Sequence, residues 1–131
     1  MPDILDPQPL DSDIWVTEEG TYLGAVVTNV PYLATDFCIA PHTQIDDNQL
    51  CLIIFRGYMT RANLLKAIMK MEKGRHIGIP GIDMIPVKAV RIESMDKNKE
   101  SEGKLTVDGE LIESGIIQCH IMKNSAKIYS K

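Results

Sequence analysis

The chain has 131 residues, 44% of them hydrophobic and 24% charged, with a formal net charge of −4. That length suits one domain, able to bury roughly two thirds of the surface its unfolded form exposes. The composition excludes wholesale disorder, and the acidic balance argues against nucleic acid as a partner. No apolar run approaches the ~18 residues that a membrane-spanning helix needs.

The charge is unevenly spread. Residues 1–55 hold nine acids and no Lys or Arg, whereas residues 56–131 hold 14 bases against nine acids. A local basic surface can therefore sit on an acidic protein. The opening MPDILDPQPLDSD lacks the basic start and apolar centre of a secretory signal. Cys38, Cys51 and Cys119 are too few for a disulfide scaffold, so the expectation is reduced thiols in a cytoplasmic setting.

In chain order, residues 1–13 read as an extended acidic leader, because Pro2, Pro7 and Pro9 resist regular structure. Thr21–Val30 is β-branched and bounded by Gly20 and Pro31, which predicts a strand. Residues 32–48 look irregular, with a polar turn at Asp46-Asp47-Asn48. Leu50–Phe55 is a continuous apolar run, as in a strand buried on both faces.

Thr60 is a natural N-cap for a helix over 61–73, and Gly74 is placed to end it in the left-handed conformation. At about 100° per residue, Leu64, Ile68 and Met71 share one ~60° sector, with Lys66, Lys70 and Lys73 opposite. After a loop at 77–83, Met84–Glu93 reads as one strand. A hydrophilic turn at 96–103 follows, with Lys104–Val107 as the hairpin partner of Met84–Glu93. Glu110–Ile112, Ile116–Met122 and Ala126–Tyr129 add short strands. The predicted fold is mainly β (α+β): an antiparallel β-sandwich or partial barrel with one amphipathic helix, forming an incomplete domain.

Three features bear on function. From Arg56 to His76 there are six bases (Arg56, Arg61, Lys66, Lys70, Lys73, Arg75) against the single acid Glu72. Such a face is either simply solvated or a docking surface for anionic membrane, where each well-placed base is worth about 1 kcal/mol. The stripe opposite it is either ordinary core or the wall of a pocket for an apolar ligand, where methionines adapt well. Val107-Asp108-Gly109-Glu110 is a strong hairpin-turn signal. The alternative is a tight turn that presents the two carboxylates of Asp108 and Glu110 to Mg²⁺ or phosphate, and pattern alone does not decide. Structural metal is not expected: Cys38 and His42 are four apart, and the adjacent Cys119 and His120 would point to opposite faces of a strand. No GxxxxGK[ST] or GxGxxG phosphate loop occurs.

Longer stretches resemble a known family. LLKAIMKMEKGRH (64–76) is similar to the C-terminal region of sphingosine kinases, in the diacylglycerol/lipid kinase superfamily, with Met71-Glu72-Lys73-Gly74-Arg75-His76 close to a signature of animal members. KLTVDGELI (104–112) resembles that family's Val-Asp-Gly-Glu-Leu motif, and IAPHTQIDDNQLCLIIFRG (39–57) is similar in layout to a family segment. The polar turn differs, being Asp-Asp-Asn where Asp-Gly is common. The resemblance implies that 14–131 is part of a lipid-binding C-terminal β-sandwich domain, a fragment of an enzyme that moves the ATP γ-phosphate to the primary hydroxyl of sphingosine or another long-chain base.

Several roles follow from that resemblance. Mg-ATP would be bound mainly by an N-terminal kinase domain that this chain lacks, along with the catalytic aspartate, so the chain alone is expected to be inactive. Asp108, Gly109 and Glu110 would face nucleotide and Mg²⁺, with Glu110 nearest to catalysis. Ile53, Phe55, Ile68, Met71, His76 and Met84 would line the lipid pocket. Location would be cytoplasmic with peripheral membrane association. The alternative is a non-catalytic lipid- or membrane-surface-binding β module, or a part of a related diacylglycerol-type lipid kinase.

Overall fold

The computed structural model describes residues 13–95, 103–112 and 116–122. Its elements run in the order β1 (Tyr22–Thr28), β2 (Tyr32–Ala34), β3 (Phe37–Cys38), β4 (Leu50–Arg56), α1 (Arg61–Met71), β5 (Ile82–Val87), β6 (Ala89–Glu93), β7 (Leu105–Val107), β8 (Glu110–Ile112) and β9 (Ile116–His120). The main sheet has the order β1-β4-β5; β2–β3, β6–β9 and β7–β8 are two-stranded ladders. Every pairing is antiparallel. The molecule is mainly β with one helix and, among the described residues, no closed barrel, as expected for a β-sandwich-like domain. The expected strand at 126–129 and nearly all of the leader lie outside the described residues, as do 96–102 of the expected turn.

Two expected pairings are corrected. The stretch 84–93 is not one strand. It leaves β4 after the Leu50↔Val87 pair, where β4 itself begins, and starts a new ladder with β9. The Ile121 amide donates to the Lys88 carbonyl (3.0 Å) at this crossing point. Nor does β7 pair with residues 84–93. It folds back on β8 through Asp108 (φ 50°) and Gly109 (φ 87°), a two-residue turn with both central residues left-handed. Asp-Gly favours that turn, and local closure needs no long loop. In the segment read as irregular, β2 and β3 form a short ladder.

The sheet face under α1 is built in rows. Gly24, Phe55 and Ile82 lie abreast, then Val26, Ile53 and Met84, then Thr28, Cys51 and Pro86. Ile53 at the centre is fully buried, and Ile54 is buried on the opposite face. Ala67 and Met71 of α1 are buried and join Cys51, Ile53, Ile82, Ile39, Ala40, Met59 and Ile79 in one core cluster. Burial of a side chain such as Ile53 or Met71 contributes about 1.5–3 kcal/mol.

The helix ends are set by the residues the sequence pointed to. Thr60 is extended (ψ 154°), and its hydroxyl accepts from the Asn63 amide at 3.2 Å. At the other end, the Gly74 amide donates to Met71 O and the Arg75 amide to Lys70 O. That is a Schellman closure with Gly74 at φ 62°. A Cβ on Gly74 would stand 2.9 Å from Pro41 Cβ and 3.1 Å from Cys38 Sγ. Just beyond, His76 is fully buried, and its Nε2 bonds the Ile39 carbonyl at 2.9 Å. Its Nδ1 has no partner among the described residues.

Two measurements check this account. Gly74→Ala is expected to lower the unfolding free energy by at least about 1–2 kcal/mol from left-handed strain alone, seen as an earlier urea midpoint. Burial holds the His76 imidazole below its ordinary value of about 6.5, with the Ile39 bond only partly opposing the shift. The unfolded chain therefore takes up a proton that the folded chain resists. Stability falls as pH drops below about 6.5 toward the depressed folded value. A His76 NMR titration midpoint at or above 6.5 would contradict this.

Candidate functional site

An open groove of about 310 Å³ runs between α1 and the end of the sheet where β1 meets β4. Leu23, Gly24 and Val26 come from β1, Phe55 from β4, and Leu64, Ile68 and Met71 from α1. Leu33, Phe37 and Ile39 close it from the β2–β3 side. Every lining residue is apolar or glycine, and the volume lies at the lower end of the roughly 300–1,000 Å³ of ligand pockets. Such a slot can hold an aliphatic chain and offers nothing to grip a charged group.

Local structure explains the lining. Alternation along β4 sends Phe55 to the same side as Ile53, and pairing sets Gly24 opposite Phe55. A register shift between Tyr22 and Gly24 brings Leu23 to the groove as well. Gly24 leaves open space: nothing lies within 4 Å of where its Cβ would be. On α1 the buried residues are Ala67 and Met71, with Leu64 partly buried beside them, rather than the Leu64–Ile68–Met71 stripe that periodicity suggested. The small Ala67 is fully buried in the core cluster with Ile53. Ile68 is left at the rim, 51% exposed.

Of the residues assigned to a lipid pocket from sequence, Phe55, Ile68 and Met71 line the groove. Ile53 lies in the core beneath it, and Met84 packs beside Ile53 on the far side of β4. His76 is also outside the lining. It ties the loop after α1 to Ile39, a groove wall, and so supports that wall from behind. Leu64, in the helical stripe read as a possible pocket wall, also lines the groove, whereas Leu23, Gly24, Val26, Leu33, Phe37 and Ile39 were missed. The β1 residues become visible only once β1 is paired with β4, and Leu33 and Phe37 lay in a stretch with no periodic signal.

Asp108, Gly109 and Glu110 sit on the exposed β7–β8 hairpin and do not border the groove. Among the described residues no group of three or more His, Cys, Asp or Glu gathers to hold a metal ion. Two exposed carboxylates do not make a cage by themselves. They fit the part that protein acids play for Mg²⁺ already carried on phosphates, one or two carboxylates beside other ligands. Burial pushes the Cys51 and Cys119 thiols up, which keeps them protonated and poor nucleophiles.

The bases divide into two groups. Arg61, Lys66, Lys70, Lys73 and Arg75 are exposed. Arg56 is not part of that face. Its guanidinium pairs with Glu18 and, at 2.6 Å, with Asp83, and lies over the Tyr22 ring. Tyr22 in turn donates its hydroxyl proton to Glu18. Arg56 therefore ties the segment before β1 to β5 across β4.

Known proteins place this geometry. A profile described as "YegS C-terminal NAD kinase beta sandwich-like domain" matches residues 8–125. Sphingosine kinase 2 of Homo sapiens is 33% identical over 123 residues, covering 92% of this chain and 18% of that protein. Sphingoid long-chain bases kinase 1 of Arabidopsis thaliana is 30% identical over 105 residues, 79% of this chain and 13% of that protein. Sphingosine kinase 1 of Homo sapiens is 29% identical over 119 residues, 89% of this chain and 30% of that protein. The chain thus spans less than a third of each of these relatives. With a profile match over most of its length and an antiparallel sandwich-like architecture, the chain belongs to the YegS C-terminal NAD kinase beta sandwich-like domain family, within the diacylglycerol/sphingosine kinase group.

Proposed function

We propose that residues 14–131 are the lipid-holding part of an ATP-dependent kinase acting on sphingosine or a similar long-chain base. The carrying observation is the wholly apolar groove beside α1 in a chain of this family. A long-chain base has a polar amino-alcohol head and an alkyl tail. The groove suits the tail, since each fully buried apolar side chain contributes about 1.5–3 kcal/mol and no polar partner is required. The head would remain outside, toward a partner lobe that supplies the nucleotide loops and the catalytic aspartate.

The proposed reaction moves the γ-phosphoryl group of ATP to the primary hydroxyl oxygen, with ADP as the leaving group and the hydroxyl proton passing to the partner lobe's aspartate. Bound Mg²⁺ supplies charge neutralisation to the phosphates. Phosphoryl transfer depends mostly on positioning and on such neutralisation. Asp108 and Glu110 would add their carboxylates from the hairpin, with Gly109 allowing the tight turn that presents them. The exposed bases of α1 favour a working position at an anionic membrane surface, in the cytoplasm. The similarity to kinases named for sphingosine and for sphingoid long-chain bases favours this over a non-catalytic lipid module.

Two variants test the proposal in the chain joined to a sphingosine-kinase nucleotide-binding lobe. Gly24→Val places a side chain where a Cβ has nothing within 4 Å and removes a strand glycine, so the melting temperature should hold or rise. Sphingosine turnover should nevertheless fall at least tenfold, mainly through KM; unchanged KM would remove the groove from substrate binding. Glu110→Gln changes one exposed atom on the hairpin and should leave the melting temperature unaltered while kcat drops at least tenfold. Wild-type kcat in that variant would take Glu110 out of the reaction.

A further inference from the structure

Among the described residues, Gly24 is the only glycine inside a strand. Its backbone does not require glycine, since the glycines with left-handed backbone are Gly74, Gly78, Gly81 and Gly109. Crowding does not require it either. A Cβ on Gly57 would meet the Thr21 carbonyl oxygen at 2.7 Å, whereas a Cβ on Gly24 would have nothing within 4 Å. The register shift beside it, between Tyr22 and Gly24, has Leu23 as its extra residue and lacks the left-handed glycine of a G1 bulge. A glycine in the body of a strand weakens it, because it costs chain entropy and packs nothing. The remaining reason for one is a ligand that comes close to the backbone.

The space over Gly24 belongs to the groove. Gly24 and Val26 are two apart on β1 and line it from the same side of the sheet. Phe55 stands abreast of Gly24 on β4. An aromatic ring beside a strand glycine can fold over it and restore the packing. Here the ring leaves the glycine clear, with no atom within 4 Å of the Cβ position. The groove floor therefore drops by one side chain between Val26 and Gly24. A straight polymethylene chain has constant width and passes over such a dip, forfeiting contacts on that side. A methyl branch at that height puts a carbon into the dip and recovers them.

We infer that Gly24 is a specificity-determining residue, whose missing side chain forms a dip in the groove floor that receives a methyl branch on the alkyl tail. The favoured substrates are thus long-chain bases with a branched tail. The inference rests on the reading of the groove as an alkyl-chain site and adds which tail it takes. Every residue lining the groove is apolar or glycine, so the branch is hydrocarbon. A hydroxyl in the same place would lose its water and find no partner. Selection is by fit, and one carbon buried or left out changes affinity by at least about fourfold.

The test is equilibrium binding of radiolabelled bases to the full chain, below their micelle-forming concentration. The probes are sphinganine and a series of isomers with the same carbon count, in which a single methyl branch moves along the tail. The wild-type chain is expected to bind one isomer of the series at least about fourfold tighter than sphinganine. Gly24→Ala fills the dip with one methyl carbon. It should weaken the favoured isomer at least about fourfold while sphinganine keeps its wild-type affinity or gains. The melting temperature of that variant should hold or rise, because a strand glycine is removed. Gly24→Val reaches past the dip into the slot and should weaken both bases. Wild-type binding of sphinganine with no isomer preferred would overturn the dip and leave the groove standing as an alkyl site. A preference that survives Gly24→Ala, or an equal loss of both bases in that variant, would do the same. Binding of neither base by the wild-type chain would overturn the groove, and the dip with it.

Discussion

The groove in this molecule depends on how one helix sits against one sheet. Ala67 and Met71 press toward Ile53, the fully buried centre of the β1-β4-β5 face, and Leu64 joins them from the groove side. Ala67 is fully buried among these residues, whereas Ile68, one position on, is half-exposed at the groove edge. The helix thus packs into the core on its Ala67–Met71 side and borders the groove on its Ile68 side. Gly24, the smallest residue on β1, lines the same groove. The groove is what this asymmetry leaves.

A slot of this kind persists only if its far wall is held independently of a ligand. The β2–β3 side is held twice. Ile39 and Ala40 both donate their amides to the Pro31 carbonyl, and His76 bonds the Ile39 carbonyl from the helix side. His76 is costly to bury, with one ring nitrogen lacking a partner among the described residues. Its place is explained by what it connects: the turn ended by Gly74 is fixed to the loop that supplies Phe37 and Ile39. Gly74 matters for the same reason, since a side chain there would push against Pro41 and Cys38 in that loop.

Much of this was legible in the sequence where local chemistry decides the outcome. Thr60 caps the helix, Gly74 ends it, Leu50–Arg56 forms a strand buried on both faces at Ile53 and Ile54, and Asp108-Gly109 makes its turn. Each of those is settled within a few residues. What escaped was set at a distance. Periodicity finds a helical stripe but cannot choose between Ala67 and Ile68, which are neighbours on it; the sheet below chooses. The split of 84–93 follows from where β4 begins, more than thirty residues earlier. Charge counting also missed Arg56, whose partners Glu18 and Asp83 lie 38 and 27 residues away. That network joins the acidic first half of the chain to its basic second half, so a base that looked free for a membrane is instead a tie within the fold.

The two proposed sites have opposite characters, and that difference bears on how the protein would act. The groove is apolar throughout, so it can supply binding energy but no charge and no proton acceptor. The β7–β8 hairpin has two carboxylates and no gathered third ligand among the described residues, so it can supply charge but not hold a metal alone. Phosphoryl transfer needs alkyl binding, phosphate cradling and a base in fixed register. Among the described residues the groove offers a surface suited to the first. The activity proposed above would therefore call for a two-lobe arrangement, in which this chain would fix where the tail lies and a nucleotide-holding lobe would fix where the phosphate lies. The distance between them then sets which hydroxyl is reached. In such an arrangement, an apolar wall would discriminate among tails by fit alone.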